Sequence, residues 1–373
     1  MAILLGLVSG IEATEIVAQF NTGFGRALGE FALILLPSFT LAAALSRQNI
    51  ASNSAGRTVA LTSPIAGAGM ICPDTAYAAL SPAAGRYKID TAFGAYAGFK
   101  LLYPAGPLIV AAGLGVTGGQ GVEPTTLLLC GALLTLPVWA VGVLWGRLAI
   151  QGKVAIDEGE PPKGNVNMLK TFAPFLVMTG LLIFGGVIGH TGIGALDFLL
   201  LPKGALLTAA LIALLQTQAD ARRECLDSAV RRTGSLLLVI GAASAFGAVL
   251  TSLVALQHIA PQGDGVLTLV ALFALTVLFK LAQGSSMATF AAIAPVAAPV
   301  VLSSGVNEVA AVFAICLGSF IAILPNDSYY WLVRRDALKD QSEGRVIHIL
   351  SLGTALQATV GLTVLLSVFT LWQ

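Results

Sequence analysis

Apolar tracts long enough to cross a lipid bilayer recur along the whole chain, and they limit its possible folds more than any other feature. A membrane-spanning helix needs about 20 mainly apolar residues. Uninterrupted tracts of this kind occupy residues 27–46, 125–147, 171–190, 203–218, 233–254 and 347–371. Only 10% of the residues are charged, against roughly 25% in soluble domains. The sequence therefore predicts an all-α polytopic membrane protein embedded in the lipid bilayer, and it excludes soluble enzymes and proteins that bind nucleic acid.

Further apolar tracts are interrupted by proline, glycine and polar residues at 58–86, 91–117 and 266–333. Sixteen of the twenty Lys and Arg residues fall into five clusters, which the positive-inside rule assigns to the cytoplasm. Arg57 and Arg86 bracket the first interrupted tract, so both of its ends are expected on the cytoplasmic side. A re-entrant hairpin over about 58–86 that turns near residues 72–75 meets this requirement.

The second hairpin is expected over about 266–303, with its turn at residues 283–286. It follows a loop without Lys or Arg, so it would enter the membrane from the opposite face. An interrupted helix follows each hairpin, over about 91–117 and about 307–333. Helix ends at this depth are tolerated only where protein, water or a ligand satisfies their backbone groups.

These tracts predict two inverted-topology repeats, each with one re-entrant hairpin and one discontinuous helix. The first repeat comprises residues 1–150 and the second comprises residues 171–373. The polar segment 151–170 is expected to be a cytoplasmic linker between them. Secondary transporters are often built this way, with their binding sites at mid-membrane.

Four segments resemble signature segments of the gluconate permease family. They are KLAQGSSMATFAAIAP (280–295), LPNDSYYWLV (324–333), CPDTAYAALSP (72–82) and YPAGPLIVAA (103–112). The resemblance covers most of the chain from about Gly23 to the C-terminal helix. It implies a proton-coupled symporter for sugar acids such as gluconate, in the inner membrane of a bacterium or archaeon. It also implies an elevator-type homodimer, in which a transport domain with two opposed hairpins moves against a scaffold.

Ionisable residues at mid-membrane are the main functional candidates, because each costs at least about 2.5–3.5 kcal/mol to insert. We expect Lys280 to bind the carboxylate of a small organic anion, with Asp327 facing the same cavity. Asp74 is expected to take up the coupled proton, since apolar surroundings disfavour an ionised carboxyl group. Lys100 is a candidate charge partner. The other predicted substrate-binding residues are Gln283, Gly284, Ser285, Ser286, Pro73, Thr75, Tyr103, Asn326 and Ser328.

Three alternatives remain open from the sequence. Asp74 with Lys100, and Asp327 with Lys280, would form neutral ion pairs without a role in transport. A sodium-driven symporter of the same fold would bind the ion through oxygens of the second tip and of residues 326–328. An intramembrane aspartyl protease would use Asp74 and Asp327 as its catalytic pair, although neither lies in a Gly-x-Gly-Asp motif. The four cysteines are far apart with no CxxC pair, so no metal site or other cofactor is expected.

Overall fold

The computed structural model of the chain describes residues 2–8, 10–45, 56–69, 72–117, 122–150, 168–189, 191–253 and 265–371. The regular structure in these ranges is entirely helical. The helices are α1 (Ala2–Val8), α2 (Ala13–Leu45), α3 (Gly56–Gly69), α4 (Pro73–Ala84), α5 (Lys88–Leu101), α6 (Gly106–Leu114), α7 (Pro124–Ile150), α8 (Met168–Ile188), α9 (Gly194–Leu200), α10 (Pro202–Gln216), α11 (Ala219–Leu253), α12 (Gly265–Gln283), α13 (Ser286–Ser304), α14 (Glu308–Gly318), α15 (Ser328–Ala337) and α16 (Glu343–Leu371). A short 3₁₀ turn, Gly85–Tyr87, joins α4 to α5.

Within the described ranges, five helical segments are long and apolar enough to cross a membrane. They are Gly85–Leu114, Pro124–Ile150, Gly265–Gln283, Ser286–Ser304 and Glu343–Phe369. The pair Gly194–Leu200 and Lys203–Gln216, bent by 80°, would make a sixth. Leucines such as Leu129, Leu133 and Leu136 of α7 are exposed, as expected for a surface that faces lipid. The prediction of an all-α polytopic membrane protein is confirmed.

Two helical hairpins occupy the regions of interrupted hydrophobicity. Hairpin 1 consists of α3 and α4, and hairpin 2 consists of α12 and α13. In hairpin 1, residues 70–71 lie outside the described residues, and α4 begins at Pro73, within the predicted turn at residues 72–75. Proline suits this first helical position because it has no N–H to leave unpaired. In hairpin 2 the chain turns at Gly284, which has a φ of +73°, a backbone conformation that glycine adopts without steric cost.

Two helices are broken in the middle, one after each hairpin. Break 1 comprises residues 102–105, between α5 and α6. Break 2 comprises residues 319–327, between α14 and α15. Both breaks fall within the tracts in which the sequence predicts an interrupted helix.

The helices pack in a pattern that recurs in the two halves of the chain. The first helix of hairpin 1, α3, packs on α5, as α12 of hairpin 2 packs on α14. The second helix of each hairpin contacts the far half of the other broken helix, so α4 meets α15 and α13 meets α6. The long helix α2 packs along α11, and α7 packs along α16. These contacts bring both hairpin tips and break 2 to one place inside the bundle.

Candidate functional site

A cavity of about 180 Å³ lies where the two hairpin tips and break 2 meet. We call it the tip cavity. Its lining includes Asp74 from hairpin 1, Ser286 from hairpin 2 and Asp327 from break 2. The hydroxyl group of Ser328 donates a hydrogen bond to the Asp74 carboxylate across the cavity wall. Residues far apart in the sequence therefore form one polar site.

Three helices begin at the tip cavity: α4, α13 and α15. The first N–H groups of any helix have no partner within that helix, and its N-terminus carries a partial positive charge. Ser285 caps α13 by accepting from the Ala288 N–H, and Asp327 caps α15 by accepting from the Tyr329 N–H. Cys72, the N-cap residue of α4, makes no side-chain capping bond. The converging N-termini leave backbone donors available to an anion.

Lys280 and Asp327 form a buried ion pair directly behind the tip cavity. The ammonium nitrogen of Lys280 lies 2.6 Å from Oδ2 of Asp327. The same ammonium group donates to the backbone carbonyl of Gly284 in the hairpin 2 turn. Lys280 has no exposed surface, so its ammonium group does not face the cavity. From the sequence we expected it to bind the substrate there. The Asp327 carboxylate provides a nearer counter-charge and holds it in the interior.

Lys100 is fully buried and contacts the first residue of break 2. Its ammonium group donates to the backbone carbonyl of Ser319 and to the Ser319 hydroxyl group, the latter at 2.9 Å. The ammonium nitrogen also lies 4.1 Å from the centre of the Tyr96 ring, within the range of a cation–π interaction. Asp74 instead bonds to Ser328. The pairing of Asp74 with Lys100 in that alternative is therefore wrong, whereas its pairing of Asp327 with Lys280 is present.

An adjoining cavity of about 610 Å³ extends from the tips towards the beginning of α11. We call it the outer cavity. The two cavities share part of their lining, including Phe39 of α2, Asp74, and Arg232 of α11. Arg232 is exposed and brings a positive charge to both cavities. Hydroxyl groups of Thr75 and Ser228 also face the outer cavity.

A stack of aromatic rings supports the site from the other side. Tyr96 and Tyr329 stack with their ring centres 5.3 Å apart, and Tyr77 contacts Tyr329 edge-on at 5.9 Å. The Tyr329 hydroxyl group donates to the Ala92 carbonyl at 2.7 Å. The Tyr77 hydroxyl group donates to Asp336 at 2.8 Å. These contacts tie hairpin 1 and α5 to α15, and so fix the position of Asp327.

The predicted site residues divide into two groups. The residues that line the tip cavity are Pro73, Asp74, Ser285, Ser286, Asp327 and Ser328, and Thr75 lines the outer cavity. The residues that line neither cavity are Lys100, Tyr103, Lys280, Gln283, Gly284 and Asn326. The side-chain amide of Asn326 donates to the Leu281 carbonyl at 3.0 Å. Asn326 therefore holds break 2 against hairpin 2.

Tyr103 is the clearest departure from the expected site. It is 4% exposed, and its hydroxyl group has no hydrogen-bond partner among the described residues. The sequence predicts it among the substrate-binding residues, at the start of the segment YPAGPLIVAA (103–112). Tyr103 lines neither cavity, so its contact with the substrate stays a prediction.

Sequence reasoning missed the contribution of α2 and α11. Phe39, Arg232 and Ser235 line the tip cavity, and in the sequence Arg232 is only one member of the basic cluster at residues 222–232. The positive-inside rule describes a cluster and does not separate one arginine from its neighbours.

Among the described residues, no group of three or more His, Cys, Asp or Glu side chains is arranged to hold a metal ion.

Comparison with known proteins identifies the family. The family described as GntP family permease matches residues 48–372. The high-affinity gluconate transporter of Escherichia coli (strain K12) is 24% identical over 381 residues, which cover 90% of this chain and 85% of that protein.

Two solved transporter structures have a similar fold. The YdaH transporter of Alcanivorax borkumensis, reported to have an unusual topology, matches with a TM-score of 0.61 and 19% identity over 94% of this chain and 86% of that one. MtrF of Neisseria gonorrhoeae, from a class of antimetabolite efflux pumps, matches with a TM-score of 0.61 and 16% identity over 97% of this chain and 83% of that one. Because these relatives are transporters, the protease alternative is set aside. The chain belongs to the GntP permease family and is a multi-pass membrane transporter.

Proposed function

We propose that the protein is a secondary active symporter that moves a small organic anion, a sugar acid such as gluconate, together with protons. The observation that carries the proposal is the convergence of three helix N-termini and Arg232 on the tip cavity. Helix N-termini bind carboxylates through free backbone N–H groups and their dipoles. Arginine binds a carboxylate with two parallel hydrogen bonds. The similarity to a gluconate transporter supports this class of substrate.

The charges around the tip cavity favour an anion. Lys100 and Lys280 lie behind the cavity, and Asp327 is the carboxylate that contacts Lys280. Arg232 adds a third positive charge at the cavity itself. Once Asp74 is protonated, the charged groups at and behind the tip cavity are three cations, Lys100, Lys280 and Arg232, and one carboxylate, Asp327. A substrate carboxylate would bring this local charge closer to balance.

Asp74 provides a physical reason for proton coupling. It lines both cavities, so its carboxylate would lie close to the carboxylate of the substrate. Two like charges about 4 Å apart repel by about 4 kcal/mol at an effective dielectric constant of about 20. Protonation of Asp74 removes this repulsion, and binding of the anion in turn favours the protonated form. Anion and proton therefore bind together.

The outer cavity suits a polyhydroxylated chain. Its volume of about 610 Å³ is in the range of small-molecule binding sites. Thr75, Ser228 and Ser328 place hydroxyl groups on its wall, where they would exchange hydrogen bonds with the hydroxyl groups of a sugar acid. The cavity includes Glu224 and Arg232 from the end of α11 that carries a basic cluster. We therefore assign its opening to the cytoplasmic side in this conformation.

The membrane arrangement is part of the same proposal. The matching contacts of α3 with α5 and of α12 with α14 support two inverted repeats with re-entrant hairpins. Arg57→Cys and Arg86→Cys variants should then react with an impermeant thiol reagent from the same side of the membrane. Reaction from opposite sides would contradict re-entry of hairpin 1. The family resemblance also implies an elevator-type homodimer in the inner membrane of a bacterium or archaeon. Light scattering of the protein in detergent should then give the mass of a dimer.

Uptake of labelled gluconate into proteoliposomes tests the function. A proton gradient alone should drive accumulation, and a sodium gradient alone should not. The Asp74→Asn variant should still bind the anion but should no longer accumulate it in response to a proton gradient. Asp340→Asn, at an exposed position outside both cavities, is the matched control and should transport normally. Accumulation driven only by sodium would favour the sodium-coupled alternative, and absence of binding by any sugar acid would overturn the substrate assignment.

A further inference from the structure

Two lysine ammonium groups lie inside the bundle at the C-terminal ends of helices. Lys280 contacts the carbonyl of Gly284, the residue that follows α12. Lys100 contacts the carbonyl of Ser319, the residue that follows α14. The C-terminal end of a helix carries a partial negative charge and exposes carbonyl groups without helical partners. Both positions therefore attract a cation.

Two oxygen atoms from separate segments hold the ammonium group of Lys280. The ammonium group contacts one carboxylate oxygen of Asp327 at 2.6 Å and the carbonyl oxygen of Gly284. Gly284 lies in the turn of hairpin 2, and Asp327 is the last residue of break 2. A hairpin turn and an unwound helix segment thus meet around one positive charge.

The environment of Lys100 is similar but has no carboxylate in direct contact among its described partners. Its ammonium group contacts the carbonyl and the hydroxyl oxygen of Ser319. Aromatic rings of Tyr96 and Phe320 cover it, with ring centres 4.1 Å and 5.1 Å from the nitrogen. The Ser319 hydroxyl group in turn donates to the Cys316 carbonyl at 2.6 Å. The ammonium group is therefore held by the two oxygen atoms of Ser319, the residue that follows the C-terminal end of α14.

Carbonyl, hydroxyl and carboxylate oxygens are also the ligands that hard metal cations prefer. In transporters with broken helices, unwound carbonyls and half-helix C-termini coordinate sodium or protons. We propose that the ammonium groups of Lys100 and Lys280 are built-in cations that occupy the places of coupling sodium ions. The inference rests on the proposed function as an anion carrier and adds that its anion site is assembled without sodium. Each lysine supplies the positive charge that a sodium ion would otherwise bring.

The proposal predicts that shortening either lysine creates a sodium site. Lys100→Ala and Lys280→Ala each leave the oxygen atoms in place and open a space beside them. The melting temperature of each purified variant should rise with sodium chloride and not with choline chloride at the same ionic strength, because an ion that binds only the folded state stabilises it. Lys100→Met and Lys280→Met are matched controls, since methionine fills much of the space and carries no charge. They should show no sodium-specific rise.

The native protein provides an independent arm. Its melting temperature and its anion uptake under a proton gradient should be the same in sodium and in choline. A sodium-specific rise in the native protein, or folded alanine variants that do not respond to sodium, would overturn the proposal. If neither alanine variant folds, the sodium dependence of the native protein alone tests the proposal. The melting measurements need no substrate, so they separate a failure of this proposal from a failure of the proposed function.

Discussion

The ammonium nitrogen of Lys280 lies 2.6 Å from Oδ2 of Asp327, and the two side chains are only 0% and 4% exposed. Removing one partner of a buried ion pair leaves the other charge uncompensated. We expect Asp327→Asn to lower the free energy of unfolding by about 3–5 kcal/mol. Thermal or denaturant unfolding in detergent measures the loss.

The Lys88–Asp336 pair gives the matched control, because its side chains are 15% and 30% exposed at a nitrogen–oxygen distance of 2.7 Å. A partly solvated pair of this kind contributes about 1 kcal/mol or less, so Lys88→Met, which leaves the bond from Tyr77 to Asp336 in place, should be mild. Combining Lys280→Met with Asp327→Asn should recover much of the loss. Equal losses for Asp327→Asn and Lys88→Met would contradict the central role assigned to the buried pair.

The turn of hairpin 2 depends on the absence of a side chain at Gly284. A Cβ atom there would lie 2.3 Å from the backbone oxygen of Asn326, so Gly284→Ala must push hairpin 2 and break 2 apart. Gly305 has a similar φ of +67° but open space around its Cβ position. We expect Gly284→Ala to abolish uptake, whereas Gly305→Ala should cost about 1–2 kcal/mol of stability and retain uptake. Near-normal uptake by Gly284→Ala would show that the close approach is not needed.

Arg232 and Arg231 are adjacent in the chain but differ in position. Arg232 lines both cavities, whereas Arg231 lines neither. A hydrogen bond to a charged group contributes about 1.5–3 kcal/mol, so Arg232→Gln should weaken anion binding by about 10- to 100-fold. Arg231→Gln should leave the dissociation constant unchanged. Calorimetric titration with gluconate compares the two, and equal affinities would remove Arg232 from the site.

Tyr103 provides a test in which we expect the substitution to have no effect. Its hydroxyl group is buried without a hydrogen-bond partner among the described residues, so Tyr103→Phe should keep full uptake and lose no stability. Tyr329→Phe is the contrast, since it removes a 2.7 Å bond to the Ala92 carbonyl that contributes about 0.5–1.5 kcal/mol. A marked loss of anion affinity in Tyr103→Phe would restore the role expected from the sequence.

The sequence located the helix ends that form the site. Interruptions by glycine and proline mark such ends directly, because these residues have distinctive backbone requirements. The predicted turn at residues 283–286 coincides with the end of α12 and the start of α13. Break 2 likewise ends at Asp327, within the segment LPNDSYYWLV (324–333) that resembles the family. Re-entry of the hairpins and the orientation of the repeats stay predictions.

The contacts of individual side chains were harder to predict from the sequence than the helix ends. Lys100 contacts Ser319, which is 219 positions away, and no local pattern identifies that contact. Arg232 reaches the cavities because α11 runs beside hairpin 2 and α2. Such contacts depend on long-range packing, which hydrophobic periodicity does not encode. The sequence identifies the charged residues of the apolar tracts as candidates, whereas which of them line the cavities follows from long-range packing.

The positive ends of α4, α13 and α15 at the tip cavity consist of main-chain atoms. No substitution of a side chain deletes a backbone N–H group, except a change to proline. During evolution the cavity can therefore keep its attraction for negative charge while residues such as Thr75 and Ser235 change. Relatives that share these helix N-termini should therefore differ more readily in which substrate they prefer than in the sign of the substrate's charge.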